Sequence, residues 1–231
     1  MALTRGPRGR RGWRGAVTAG VAALTVGAVA CAGAQGRGAA TPGTGQASAT
    51  REGLIPAGYG SLRREDVSID FTLQGLTIRA IPLDEAVIRT LAPDSYRALH
   101  SLGALRAPEL ERIRSRLGLP SIQAWHVAFF NVQQGEARFD PHGMSIRSAG
   151  RDFRPLDVVA LVRGFDDGRL AQGRTVDAIF AFDPAIALDQ PLTVTLAGEQ
   201  SSVWVDVLQR LERERAAIWS RAAGARKPPI D

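Results

Sequence analysis

Between Val67 and Ala80 apolar and polar residues alternate in two successive runs. Val67, Ile69, Phe71 and Leu73 stand against Ser68, Asp70 and Thr72; after Gln74-Gly75 the pattern resumes, with Leu76, Ile78 and Ala80 against Thr77 and Arg79. A period of two belongs to a strand with one apolar and one wet face, and two such runs meeting at a glycine predict a β-hairpin. This commits the chain to a sheet whose apolar side must be covered. Residues 122–132 (IQAWHVAFFNV) are apolar on both faces, as suits a central strand covered on each side. Further short strands are expected at 137–139, 144–147, 156–163, 175–182 and 192–197. Pro141-His142-Gly143, Asp166-Asp167-Gly168 and Asp183-Pro184 separate them as turns.

The period changes in two places. Asp84 is placed to cap a short helix running to about Leu91, and Pro93-Asp94 to start a second that ends at Leu102-Gly103. Pro108 is placed to start a third, which stops at Gly118 and carries the stripe Leu110, Ile113 and Leu117. Between Ser202 and Arg221 the residues Trp204, Leu208, Leu211, Ile218 and Trp219 share one face of a helix. The expected fold is mainly β with helices: an antiparallel β-sandwich spanning 59–222, with a helical insertion at about 84–118 and a C-terminal helix. The face carrying Trp204, Leu208, Leu211 and Trp219 must be buried somewhere. The domain's own sheet is the default, and a partner's groove is the functional alternative.

A resemblance sharpens the fold class. Phe139-Asp140-Pro141, Leu156, Gly173 and Phe180-Ala181-Phe182-Asp183-Pro184 follow one another as in the late strands of a known domain type. The stretch 139–196 resembles the C-terminal strands of immunoglobulin-like extracytoplasmic domains of bacterial lipoproteins, without the Cys and Trp framework of true immunoglobulin domains. The resemblance implies an immunoglobulin-like antiparallel β-sandwich of unassigned function.

The N-terminus carries an address. Residues 1–15 hold Arg5, Arg8, Arg10, Arg11 and Arg14 and no acid; residues 16–30 are uncharged; Ala28-Val29-Ala30 then present small side chains. Basic, apolar and small in that order is the secretory pattern, with cleavage expected after Ala30. The competing reading is an uncleaved signal anchor, although the apolar run is Ala- and Gly-rich and a spanning helix needs roughly 20 apolar residues. The one cysteine of the chain, Cys31, follows the cleavage point directly. A thiol there is what lipoprotein processing requires, and the site resembles a bacterial lipobox, with Ala28 where Leu is usual and Val29 where Ala or Ser is usual. An ordinary cleavage site followed by an incidental cysteine is the alternative. Arg10-Arg11 also suggests twin-arginine export, but the consensus residues around the pair are missing.

Residues 31–58, rich in Gly, Ala, Thr, Ser and Gln, read as a flexible tether, and 223–231 as a disordered tail. A single cysteine excludes an intramolecular disulfide, so burial alone must hold the domain together. The charge balance excludes one partner class. The chain has 29 basic and 23 acidic residues, but five arginines lie in the leader, which leaves 24 against 23 in the mature protein. A balance so near neutral gives no electrostatic reason to bind nucleic acid.

Catalytic motifs are scarce. Gly143-Met144-Ser145-Ile146-Arg147 lacks the second glycine of a nucleophile elbow, and His100, His126 and His142 show no metal-ligand spacing. Asp140 and His142 flank Pro141 in what reads as turn chemistry, and Trp125, Phe129 and Phe130 read as core. No cofactor and no metal are implied. The expected function is that of a lipid-anchored envelope protein, outside the cytoplasm, that binds or scaffolds another molecule, foremost an envelope protein, and performs no chemistry. The alternatives are an envelope hydrolase whose dispersed carboxylates, such as Asp140 and Asp183, are gathered by the fold, and a membrane component held by an uncleaved N-terminal helix.

Overall fold

The computed structural model describes residues 54–73 and 75–225. The expected leader 1–30, the expected cleavage position Ala30, the expected lipid-attachment position Cys31 and most of the expected tether lie outside the described residues. The described part is mainly antiparallel β-sheet, in a sandwich-like arrangement with helices.

The expected hairpin is formed by β1 (Ile69–Leu73) and β2 (Leu76–Pro82), paired from Ile69 with Ala80 to Leu73 with Leu76. Gly75 is required at the turn on two counts: its φ is +82°, and a Cβ there would lie 2.5 Å from the Gln133 side chain. β2 continues onto β3 (Gln123–Asn131), β3 onto β9 (Thr175–Phe182), and β9 onto β7 (Asp157–Ala160), giving a five-stranded sheet ordered β1-β2-β3-β9-β7. A second sheet has the order β11-β10-β5-β6, built from β5 (Met144–Ser148), β6 (Arg151–Phe153), β10 (Leu192–Leu196) and β11 (Glu199–Ser201). A two-stranded ribbon of β4 (Ala137–Arg138) and β8 (Arg169–Leu170) completes the β-structure.

One core joins the two large sheets. Trp125, Val127 and Phe129 of β3 and Ile78 of β2 share it with Ile146, Leu192 and Val194 of the second sheet. One face of β3 is buried, whereas on the other His126 and Ala128 are half-buried and Phe130 is exposed, so the expected cover on both sides is met only in part. In β9 five consecutive residues, Ala178 to Phe182, are fully buried.

The outer cover is helix α3. It is one element, Pro93–Leu117, where the sequence predicts a stop at Gly103 and a new start at Pro108. Leu99 and Ile113, on either side of the expected break, are both buried. They lie 14 residues apart, close to four turns of a 3.6-residue helix, so they share one face only if the helix is unbroken. Pro108 removes the donor that Ala104 O would use, but both residues are exposed and water can serve that carbonyl. The helix does end where expected, on Gly118 in the left-handed conformation. Before it, α2 (Glu85–Ile88) is capped by Asp84, whose carboxylate accepts the Ala86 N–H at 2.8 Å.

Other boundaries moved for identifiable reasons. Val67 belongs to a short helix α1 (Arg64–Val67), whose first turn is closed by Asp66 accepting the Arg63 N–H, and Val67 still reaches the core. Ile55 is buried, so the folded part begins before residue 59. Helix α4 (Trp204–Ala225) continues past residue 222 with Ala222 buried, taking three residues from the expected tail. Strands β6 and β11 were not expected. Their hairpins turn at Ala149-Gly150 and Ala197-Gly198, where alanine holds φ of +49° and +50°. Alanine is a poor resident of that region, so these turns lack the usual residue signal.

Candidate functional site

Two of the concave features among the described residues stand out, at different places on the sandwich. One is a cavity of about 280 Å³ between the sheets, floored by Leu76, Ile78, Phe129 and Leu196, with Arg138, Asp140 and Glu199 among its lining. The other, of about 330 Å³, lies between α2, α3 and the start of β3. The second is the stronger candidate because it combines an apolar floor with titratable groups whose environments pull them apart.

Helix packing builds that groove. Ile88 of α2, Leu99 and Leu110 of α3, and Ile122 and Ala124 at the start of β3 form the apolar walls. Gly103, Ala104 and Ala107 on α3 keep that side of the groove shallow. At one side Glu85 is held between two side chains: Oε2 accepts from Arg89 Nε at 2.6 Å, and Oε1 lies 2.7 Å from His100 Nδ1. Burial pushes the Glu85 carboxyl up, but the hydrogen bonds from Arg89 and His100 outweigh it and hold the carboxyl below the usual range. Its neighbour Asp84 goes the other way. Burial raises the Asp84 carboxyl, the charge of Glu85 adds to the rise, and the Ala86 N–H and Arg215 only partly oppose it. Tyr96 stands behind the pair, its ring 5.3 Å from that of His100, its phenol raised by burial and by Glu85.

Chemically the groove is an apolar slot with an acidic edge. An apolar side chain fits its floor, and because both Glu85 oxygens are engaged by Arg89 and His100, Asp84 is the carboxylate that would receive a cationic group. No motif spacing announces it. Glu85 and Arg89 form an ordinary i,i+4 helix pair, and His100 reaches them across 15 residues only because α3 folds back beside α2.

The residues singled out in the sequence go elsewhere. Trp204 and Leu211 are fully buried and Leu208 packs partly against the core, so the proposed interaction face is the internal stripe of α4. This corrects three of its four members. The Trp204 ring lies 5.8 Å from that of Trp125 and its Nε1 donates to Leu188 O at 3.1 Å. Only Trp219 is exposed, at 50%. His126 lies 3.0 Å from Asp177 on the neighbouring strand. Asp140 accepts the His142 N–H and Asp183 accepts the Ala185 N–H, each serving its own turn. Of these two carboxylates, Asp140 alone lines the inter-sheet cavity. Trp125 and Phe129 are core, as expected, whereas Phe130 is 39% exposed.

Among the described residues no three His, Cys, Asp or Glu side chains are placed to hold a metal ion, and no helix is long and apolar enough to cross a membrane. No protein-family model, curated protein or solved structure matches the chain.

Proposed function

We propose that the protein is a lipid-anchored extracytoplasmic binding or scaffolding protein of the bacterial envelope, its sandwich of the immunoglobulin-like kind that such lipoproteins carry. The observation that carries this reading is the order of features ahead of the domain. An arginine-rich start, an uncharged run and Ala28-Val29-Ala30 lead directly to the sole cysteine, and a Gly-, Ala- and Thr-rich stretch then separates Cys31 from Ile55, the first buried residue among those described. The groove between α2 and α3 supplies a place for a partner, with room for an apolar side chain beside a cation. The test is the intact mass of the protein purified from its native membranes. A chain starting at Cys31 and carrying a diacylglyceryl group is the expected result. A chain starting at Met1, or an unmodified Cys31, overturns the anchor.

The opposed shifts of Asp84 and Glu85 beside His100 favour a second reading, an envelope hydrolase using these carboxylates in place of Asp140 and Asp183. It requires hydrolysis of an ester, peptide or glycoside substrate that Glu85→Gln abolishes in a folded protein. Activity unchanged by that substitution rules it out.

A further inference from the structure

The segment leading into the sandwich is fastened along its length. Ile55 O accepts from Arg89 Nη1 at 3.1 Å. Gly60 lies against the end of α2 so closely that a Cβ would sit 2.3 Å from the Thr90 carbonyl carbon. Leu62 then pairs with its neighbours through Leu62 N–H to Thr90 O at 3.1 Å and Ala92 N–H to Leu62 O at 2.8 Å. Between these contacts Ser61 donates its backbone N–H, at 2.7 Å, and its hydroxyl, at 2.9 Å, to Glu214 Oε1 on α4; Arg221 donates to the same oxygen. The chain arriving from the N-terminus therefore meets the domain at a fixed point beside the second half of α4.

Two exposed aromatics lie within a few residues of that point along the chain. Tyr59, two residues before Ser61, is 38% exposed, and Trp219, five residues after Glu214, is 50% exposed. Around Trp219 the exposed neighbours Ala216, Ser220 and Ala223 are small. From Arg210 to Arg221 the helix carries four basic residues against two acidic ones, in a mature protein that is close to balance.

We propose that this end of the domain is a membrane-docking face, occupied by the anionic bilayer surface in which Cys31 is anchored. The inference rests on the lipoprotein reading above. Tyr and Trp are the side chains that settle at a bilayer's headgroup level, with an apolar ring and one polar group each. The basic excess is attracted to anionic headgroups. Only 24 residues lead from Cys31 to Ile55, a reach of at most about 80–86 Å, so an anchored Cys31 holds the face at high effective concentration over the bilayer. A single Trp and Tyr then suffice, where neither would bind a membrane from free solution.

The lone cysteine allows a test that does not depend on native processing. The mature chain starting at Cys31 is coupled through its thiol to a maleimide phospholipid in phosphatidylglycerol vesicles. Trp125 and Trp204 are fully buried and Trp13 precedes Cys31, so emission open to quenching is that of Trp219. The expected result is a blue shift, protection from aqueous iodide and quenching by brominated acyl chains. Trp219→Phe should abolish all three, and Tyr59→Ser should weaken them, with near-ultraviolet dichroism of the Trp125–Trp204 pair reporting an intact core. Equal iodide quenching with and without vesicles, and no loss of emission with brominated lipid, overturns the face. Because the anchor is chemical, this outcome is separate from the mass measurement that tests native lipidation.

Discussion

Replacing Asp84 in two ways separates its two roles. Its carboxylate caps α2 through the Ala86 N–H at 2.8 Å, and the same carboxylate is raised by burial beside Glu85. Asp84→Ala removes the cap, which costs about 0.5–2 kcal/mol, whereas Asn caps as well as Asp and carries no charge. For a domain of this size about 1 kcal/mol corresponds to 2–4 °C in Tm. Asp84→Ala should therefore melt roughly 2–4 °C lower at pH 7, while Asp84→Asn melts at or above the wild type. The pH dependence follows from the direction of the shift. A carboxyl raised on folding binds its proton more tightly in the native state, so the stability it contributes is complete below its ordinary range near 3.8 and is lost as pH rises through the higher folded value. The wild type and Asp84→Asn should thus converge in acid, and Asn should gain on Asp as pH rises. Thermal melts of the chain from Cys31 onward and of both variants between pH 4 and 8 make the comparison. If Asp84→Asn falls with Asp84→Ala at pH 7, the charge stabilises the fold, through Arg215 foremost, and the burial-dominated account is refuted.

Three further outcomes can be measured on the same preparation. Pro108→Ala should raise stability by about 2 kcal/mol, the roughly 3 kcal/mol helix penalty of Pro less what Pro saves in the unfolded chain; a fall would mean that α3 breaks there. Glu214→Ala leaves Ser61 without its acceptor and should cost about 1.5–3 kcal/mol, with faster hydrogen exchange confined to residues 54–62; unchanged exchange would show that the clamp does not hold this segment. Glu85 is shifted down, so its contribution is present above its ordinary value near 4.5 and lost as pH falls through the lower folded value; Glu85→Gln should flatten the acid limb of the stability profile, and an unaltered limb would refute the reading.

The hairpin at Gly75, the central strand β3, the strand β9 and the helical nature of 84–118 and of the C-terminal segment were all legible in the sequence, because each depends on local periodicity and turn chemistry. Where expectation and structure part, a distant contact decided. Gly103 and Pro108 are local signals to stop and start, yet Leu99 and Ile113 need one continuous face to cover the sheet, and that burial keeps α3 whole. The apolar stripe of α4 was visible as Trp204, Leu208 and Leu211, but a stripe does not say what it faces. Only the packed core shows that it lies inside and leaves Trp219 alone outside.

The groove belongs wholly to tertiary structure. Asp84 and Glu85 are adjacent in the chain with equivalent side-chain chemistry, and nothing local distinguishes a carboxyl pushed up from one held down. The difference arises when α3 brings His100 to Glu85 and the surrounding elements bury Asp84. The sequence by itself determined the order of arginine-rich start, uncharged run and lone cysteine, and the strand and helix classes, all properties of short windows. Tertiary structure decided which apolar residues remain in water, which charges meet, and that the N-terminal segment joins the domain beside Glu214. Those depend on contacts spanning up to 153 residues, which no local pattern encodes.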